Sequence, residues 1–185
     1  MRVITGVARG RRLETLPGDA TRPTSEKVKE SLFSAIQFDI EGRWVLDLFA
    51  GSGQLGIEAL SRGASGCVFV DKNTDAVQVI RRNLQHTGLS VNAQVLGTDA
   101  MSYLTRPGDR FDIVFLDPPY ASELLLPILQ KVEPLVNDGG IIACESDDSV
   151  VLPDRVGRFT LARTYRFGHI CVWLYRYDPG EEGTR

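Results

Sequence analysis

From Trp44 onward the chain alternates short, wholly apolar runs with segments of helical period, a pattern that few folds accommodate. Trp44–Leu48, Cys67–Asp71, Val91–Leu96, Phe111–Leu116 and Ile141–Glu145 read as strands. Helical patterns lie between them at Gly53–Arg62, Asn73–His86, Ala100–Leu104 and Ser122–Leu135, with Gly63, Gly88 and an Asp138-Gly139-Gly140 turn as stops. Apolar strands alternating with helices predict a parallel sheet covered on both faces. Phe159–Arg166 and His169–Tyr177, joined at Gly168, read as a hairpin that adds antiparallel strands at one edge. The expected fold is α/β, a doubly wound, mostly parallel sheet. Ahead of it, residues 1–20 alternate loosely around Gly6, Gly10 and a Pro17-Gly18-Asp19 turn, which predicts an N-terminal β-hairpin or arm. A helix is expected from Thr24 to Gln37, with Val28, Leu32, Ala35 and Ile36 on one face. The expected units are thus an arm (1–20), a main domain (21–178) and a frayed tail (179–185).

The 185 residues suffice for one domain with a full core, and 43% hydrophobic with 24% charged residues is ordinary for a soluble globular chain. No apolar run is long enough for a signal sequence or a membrane span, which predicts a cytoplasmic protein with no membrane partner. Cys67, Cys144 and Cys171 sit in strand-like runs without metal-ligand or redox spacing, so buried structural thiols and no metal site are expected. The net charge of −3 argues against wholesale polyanion binding, but it is unevenly spread. Residues 1–30 hold seven basic side chains (Arg2, Arg9, Arg11, Arg12, Arg22, Lys27, Lys29) against four acidic ones, a net +3, which leaves −6 for the remainder. A cationic arm on an acidic body suggests that the arm meets phosphates. A merely solvated basic end is the plainer explanation, and composition alone favours it.

The run Val45-Leu46-Asp47-Leu48-Phe49-Ala50-Gly51-Ser52-Gly53-Gln54-Leu55-Gly56 takes a buried strand into a glycine-rich turn that opens a helix. In such sheets ligands bind at the carboxyl ends of the strands. Gly51-x-Gly53-x-x-Gly56 also matches the dinucleotide fingerprint, so a nicotinamide oxidoreductase is a rival. Asp47 tilts the choice. It lies inside the strand end, where a carboxylate suits the amino-acid moiety of a cationic cofactor and would repel a pyrophosphate. Asp71 ends the next strand, placed for the hydroxyls of a ribose, and Asp99 follows the third strand, placed for an adenine amino group. Any one such acid is common on a surface. Three on consecutive strands outline a site for a sulfonium nucleoside.

Asp117-Pro118-Pro119-Tyr120 directly follows the apolar strand Phe111–Leu116. Two prolines hold the backbone extended and supply no N–H, so the loop offers carbonyl oxygens and the Asp117 carboxylate as acceptors. An exocyclic amino group on a purine ring is a poor nucleophile because its lone pair is delocalised. Acceptors that grip its two hydrogens orient the nitrogen and stabilise the positive charge that develops on attack. Tyr120 supplies a flat face on which a displaced base can stack. A stiff structural turn is the alternative, and the acids and glycines upstream weigh against it.

In this order, Asp47–Gly56, Asp71, Asp99 and Asp117–Tyr120 resemble the class I S-adenosylmethionine-dependent methyltransferases that modify amino nitrogens. The N-terminal Arg2-Val3-Ile4-Thr5-Gly6, Arg9-Gly10-Arg11-Arg12-Leu13 and Thr21-Arg22-Pro23-Thr24, continuing to Lys27-Val28-Lys29-Glu30-Ser31-Leu32-Phe33, narrow the likeness to the bacterial 16S rRNA guanine-N2 methyltransferase family. The resemblance spans nearly the whole chain. It implies a seven-stranded Rossmann-like methyltransferase sheet with an N-terminal hairpin. It also implies methyl transfer to one guanine of small-subunit RNA, within an assembly particle; a monomer is expected. By the same likeness Asp47, Gly51 and Gly53 line the methionine part of the cofactor, Asp71 its ribose, and Asp99 with Ala100 its adenine, with Phe49, Ala50, Lys72 and Asp117 in the same pocket. Asp117, Pro118, Pro119 and Tyr120 hold the target base, and Arg9, Arg11, Arg12, Arg22 and Lys27 contact RNA. A DNA adenine-N6 methyltransferase shares the general motifs, but no sizeable insertion is present to read DNA. A non-catalytic RNA-binding assembly factor is a further rival, opposed by the intact Asp117–Tyr120 loop.

Other residues are expected to be structural. Lys29 is assigned to a solvated helix face, His86 to a helix C-terminus, His169 to a hairpin turn, and Trp173 and Tyr175 to packing. Glu145, at the end of the fifth strand, is given no role.

Overall fold

The structure, a computed structural model, describes residues 1–17, 23–105, 108–118, 122–178 and 180. Its elements are α1 (Pro23–Ala35), β1 (Trp44–Leu48), α2 (Gln54–Ser61), β2 (Gly66–Asp71), α3 (Thr74–Thr87), β3 (Ala93–Gly97), α4 (Ala100–Leu104), β4 (Phe111–Leu116), α5 (Ser122–Val132), β5 (Val136–Asp147), β6 (Arg155–Val156), β7 (Phe159–Phe167) and β8 (Ile170–Tyr177). They form one eight-stranded sheet in the order β3-β2-β1-β4-β5-β8-β7-β6. The first five strands are parallel and the last three antiparallel. The doubly wound α/β sheet expected from the alternation is present, with the two-residue β6 added outside the seven expected strands.

Strand alternation divides the interior into two layers. Val45, Cys67, Phe69, Ile113, Phe115, Ile141 and Ala143 face a core shared with α1, α2 and α3. Leu46, Leu48, Val68, Val70, Val114, Leu116, Ile142 and Cys144 face one shared with α4 and α5. The three cysteines are buried, and burial raises the pKa of each thiol.

Most element boundaries shift by one to three residues from the sequence expectation, and two of the shifts have a clear cause. The third strand starts at Ala93, because Ser90–Asn92 forms a 3-10 turn. The fifth begins at Val136, so Asp138-Gly139-Gly140 lies within a strand rather than before it. Pairing with β4 jumps there from Phe111↔Val136 to Ile113↔Ile141. Gly139 has a φ of 75°, and a Cβ on Gly140 would stand 2.9 Å from the Asp112 carbonyl. Glycine serves an irregular close approach here, not a loop.

The arm is a narrow hairpin. Arg2 and Arg12 form an antiparallel bridge, Val3 N donates to the Arg11 carbonyl at 3.0 Å, and Gly10 N donates to the Val3 carbonyl at 2.8 Å. It is strapped to the body. Glu58 of α2 accepts from Ile4 N at 2.8 Å and Thr5 N at 3.0 Å, and Ser61 Oγ accepts from Ala8 N at 3.0 Å. Lys29 is not on a solvated face. It is 1% exposed, donates from Nζ to the Arg2 carbonyl at 2.6 Å and lies 3.5 Å from Glu58. Burial lowers its pKa, an effect that the Glu58 charge opposes.

Candidate active site

The site is built from what alternation does at the carboxyl edge. Because Leu48, Val70, Leu116 and Cys144 face the α4–α5 layer, Asp47, Asp71, Asp117 and Glu145, one residue away along each strand, fall on the opposite face. Four carboxyl groups from four adjacent strands therefore share one face of one edge.

Asp47 is fully enclosed, 2% exposed, and its Oδ2 accepts from Gly56 N at 2.8 Å. That N–H belongs to the first turn of α2, whose cap, Gly53, has no side chain to offer. Asp47 thus caps α2 from inside the sheet, a role additional to the cofactor contact expected of it. Desolvation pushes its carboxyl up to about 8, against the Gly56 hydrogen bond and with help from the charges of Asp117 and Asp71.

Asp71 ties the glycine turn to the second strand. Its Oδ2 accepts from Gly51 N and its Oδ1 from Asn73 N, both at 2.8 Å. Each oxygen keeps a second lone pair, so the hydroxyl-binding expectation remains compatible with these bonds. Phe49 and Ala50 both donate to the Val70 carbonyl at 3.0 Å, which holds the turn against β2. Phe49 has a φ of 68°, a conformation that disfavours a side chain and costs about 1–3 kcal/mol. Only tertiary structure reveals that strain, at a residue expected in the pocket.

The glycines separate into two jobs. A Cβ on Gly51, whose φ is 55°, would meet nothing within 4 Å, so its backbone lies open to a ligand. A Cβ on Gly56 would fall 2.3 Å from the Phe69 ring and 2.7 Å from Cys67 Sγ, so that glycine serves helix–strand packing. Gly53 has a φ of 77° and abuts Ile80. Asp99 is exposed and caps α4, accepting from Ser102 N at 3.0 Å through Oδ1. Ala100 is buried behind it and Lys72 is exposed beside Asp71. An open glycine backbone bordered by carboxyl groups fits a cationic nucleoside donor better than a pyrophosphate.

Asp117 and Pro118 are half-buried at the end of β4. Pro119 and Tyr120 lie outside the described residues, as does Arg22. The structure adds Glu145, a residue without an assigned role in the sequence analysis. Desolvation, aided by the Asp117 charge, pushes its carboxyl up to about 8. The signal was available, since Glu145 closes the apolar run Ile141–Cys144 just as Asp71 closes Cys67–Val70.

The described members of the expected RNA-contact set are not all gathered around this edge. Gly6 packs on Ser61 at the C-terminal end of α2, and Arg11 donates to the His86 carbonyl in the last turn of α3. Crossover helices return the chain to the amino edge of the sheet, so Arg9 and Arg11 lie toward the edge opposite Asp117. Arg9, Arg11 and Arg12 are exposed there. Exposed Lys27 is instead near the start of α1, whose other end meets Arg176 at the amino edge through the Ala35 carbonyl. His169 is exposed at the β7–β8 turn, 3.6 Å from Asp148. Trp173 and Tyr175 pack in β8, donating to Ser146 Oγ and the Pro153 carbonyl.

Comparison with known proteins places this chain among methyltransferases. Residues 1–176 match the family model described as Conserved hypothetical protein 95. The YlbH protein of Bacillus subtilis is 42% identical over 181 residues, covering 95% of this chain and 98% of that protein. Ribosomal RNA small subunit methyltransferase D of Escherichia coli is 35% identical, covering 98% of this chain and 92% of its own. Among solved structures, yhhF of Escherichia coli superposes with a TM-score of 0.85 at 34% identity, covering 97% of this chain and 99% of that one. A Thermus thermophilus 16S rRNA N2 methyltransferase, in complex with AdoMet and guanosine, gives a TM-score of 0.70 at 25% identity, covering 89% of this chain and 46% of that one. The chain belongs to the family described as Conserved hypothetical protein 95 and is a relative of the ribosomal RNA small subunit methyltransferase D proteins.

Proposed function

We propose that this protein transfers a methyl group from S-adenosylmethionine to the exocyclic 2-amino group of a guanine in 16S rRNA, acting as a cytoplasmic monomer on a small-subunit assembly particle. The observation that carries the reading is the row of strand-end carboxyl groups beside an open glycine turn, with Asp117 at its centre. The names of the relatives support rRNA over the adenine amino group of DNA. In this reading residues 1–20 are the docking arm, 21–178 the catalytic domain and 179–185 a tail.

Asp47, Phe49, Ala50, Gly51 and Gly53 would hold the methionine part of the cofactor, Asp71 and Lys72 its ribose, and Asp99 with Ala100 its adenine. When bound, it supplies an electrophilic methyl group on a cationic sulfur. The Asp117 carboxylate accepts one amino hydrogen of the target base and the Pro118 carbonyl the other, which turns the nitrogen lone pair out of conjugation. Pro119 and Tyr120 complete the loop, Tyr120 as the stacking face. The nitrogen becomes strongly acidic once a fourth bond forms, so its proton passes to Asp117 or solvent without a stronger base. Arg9, Arg11, Arg12, Arg22 and Lys27 contact phosphates. The positions of Arg9 and Arg11 imply an RNA footprint running along α2 and α3 rather than a grip at the target base.

Mass spectrometry of rRNA nucleosides from cells with and without the protein tests this reading. Loss of one N2-methylguanosine from 16S rRNA is the expected result, and an unchanged nucleoside profile would overturn it.

A further inference from the structure

The mechanism above leaves one site carboxyl unused. Leu116 and Cys144 are the last register pair of β4 and β5, so Asp117, the first residue past β4, and Glu145 leave that pair side by side, close enough for the Asp117 charge to act on Glu145. Among the described residues, the Glu145 carboxyl group receives no hydrogen bond and pairs with no cation, while Asp117 acts on it electrostatically. It is half-buried, so its oxygens are neither sealed inside nor free in solvent. Val172 pairs with Glu145 across β8, and Tyr165 pairs with Val172 across β7, which gives the carboxyl group an apolar flank on the side away from Asp117.

The pairing edge of guanine carries two neighbouring donors, the ring N1–H and the 2-amino group. Adenine, and any purine lacking the N1 hydrogen, presents an acceptor at N1. Two side-by-side carboxyl groups match two neighbouring donors. Resting on the amino-methylation reading, we infer that Glu145 is a specificity residue, accepting the N1–H of the target guanine while Asp117 accepts from its 2-amino group. A donor arriving from the base also favours the ionised form of a carboxyl that burial and Asp117 hold protonated up to about pH 8.

The discriminating substrate is 2-aminopurine, which keeps the 2-amino nucleophile but has a lone pair at N1. The methylated guanosine is first located by mass spectrometry of rRNA fragments, then replaced by 2-aminopurine in small-subunit particles reconstituted on ligated RNA. The wild-type protein prefers guanine in kcat/KM by on the order of 100-fold. Glu145→Gln, whose amide can turn either its oxygen or its nitrogen toward N1, lowers that preference to about 10-fold or less. Glu145→Asp keeps the charge and retains the preference at reduced kcat. Calorimetry with S-adenosylhomocysteine checks that each variant keeps its fold and pocket. An equal guanine preference in wild type and Glu145→Gln overturns the specificity role alone. Wild-type protein that methylates neither particle overturns the amino-methylation reading as well.

Discussion

Two buried charged clusters on the same side of the sheet are organised in opposite ways. Where the arm meets α1 and α2, Glu58 is fully buried but receives Ile4 N, Thr5 N and Arg62 Nε, with Lys29 at 3.5 Å. Every charge there faces an opposite charge or a donor, and Arg62 also lies over the Phe33 ring at 4.9 Å. At the carboxyl edge, the Asp117 charge acts on both Asp47 and Glu145, and those two carboxyl groups are pushed up to about 8. A satisfied cluster holds structure together. A cluster of neighbouring acids is costly to keep ionised, and it is stabilised by a ligand that brings positive charge and N–H groups. That difference separates a seam from a site.

The sharpest test of the comparison is Asp117→Ala. Turnover on the RNA particle is expected to fall about 10³-fold, with S-adenosylhomocysteine affinity by calorimetry unchanged within a few fold; full activity would remove Asp117 from the chemistry. At the seam, Glu58→Ala strands the Lys29 ammonium and two backbone N–H groups, and urea unfolding should show a loss of about 3–5 kcal/mol. A loss below about 1 kcal/mol would mean the seam is not holding the arm.

A third test uses pH. Asp47 has a folded pKa of about 8 against a reference of 3.8, so the native state holds a proton that the unfolded chain releases. Its contribution to stability is full below about pH 4 and is lost as pH rises toward 8. Asp47→Asn mimics the protonated form and still accepts from Gly56, so its stability should decline less over that window than the wild type, by on the order of a few kcal/mol. Glu145 supplies the remaining slope, and identical profiles would show that Asp47 is ionised throughout. The smallest expected effect is at the arm. Arg9→Glu with Arg12→Glu should weaken particle binding about 10-fold to 100-fold at low salt and flatten its salt dependence, leaving S-adenosylhomocysteine affinity intact. Arg11 is a poorer probe, because reversing it also removes its bond to the His86 carbonyl.

Local pattern made much of the fold legible. Phe111–Leu116 and Ala100–Leu104 have the bounds expected of them, because an apolar run closed by polar residues or a capping Asp99 carries its own limits. The glycine turn was legible for the same reason, since backbone demands select glycine locally. Lys29 was misplaced because its partners, Arg2 and Glu58, come from the arm and from α2, and nothing within the α1 sequence predicts a buried lysine. A hint lay in α2, where Glu58 sits among Leu55, Ile57, Ala59 and Leu60 with no polar face to take it.

The amino-acid sequence by itself determined the strand and helix alternation, the positive-φ glycines of the turn and the acids that end the strands, because each follows from a few neighbouring residues. Tertiary structure alone decided that Asp117 and Glu145 are side by side, that Asp47 caps a helix from inside the sheet, and that the arm's arginines lie toward the far edge. Those facts depend on strand order and register, set by packing between residues distant in the chain, and strand order and register place charges next to one another.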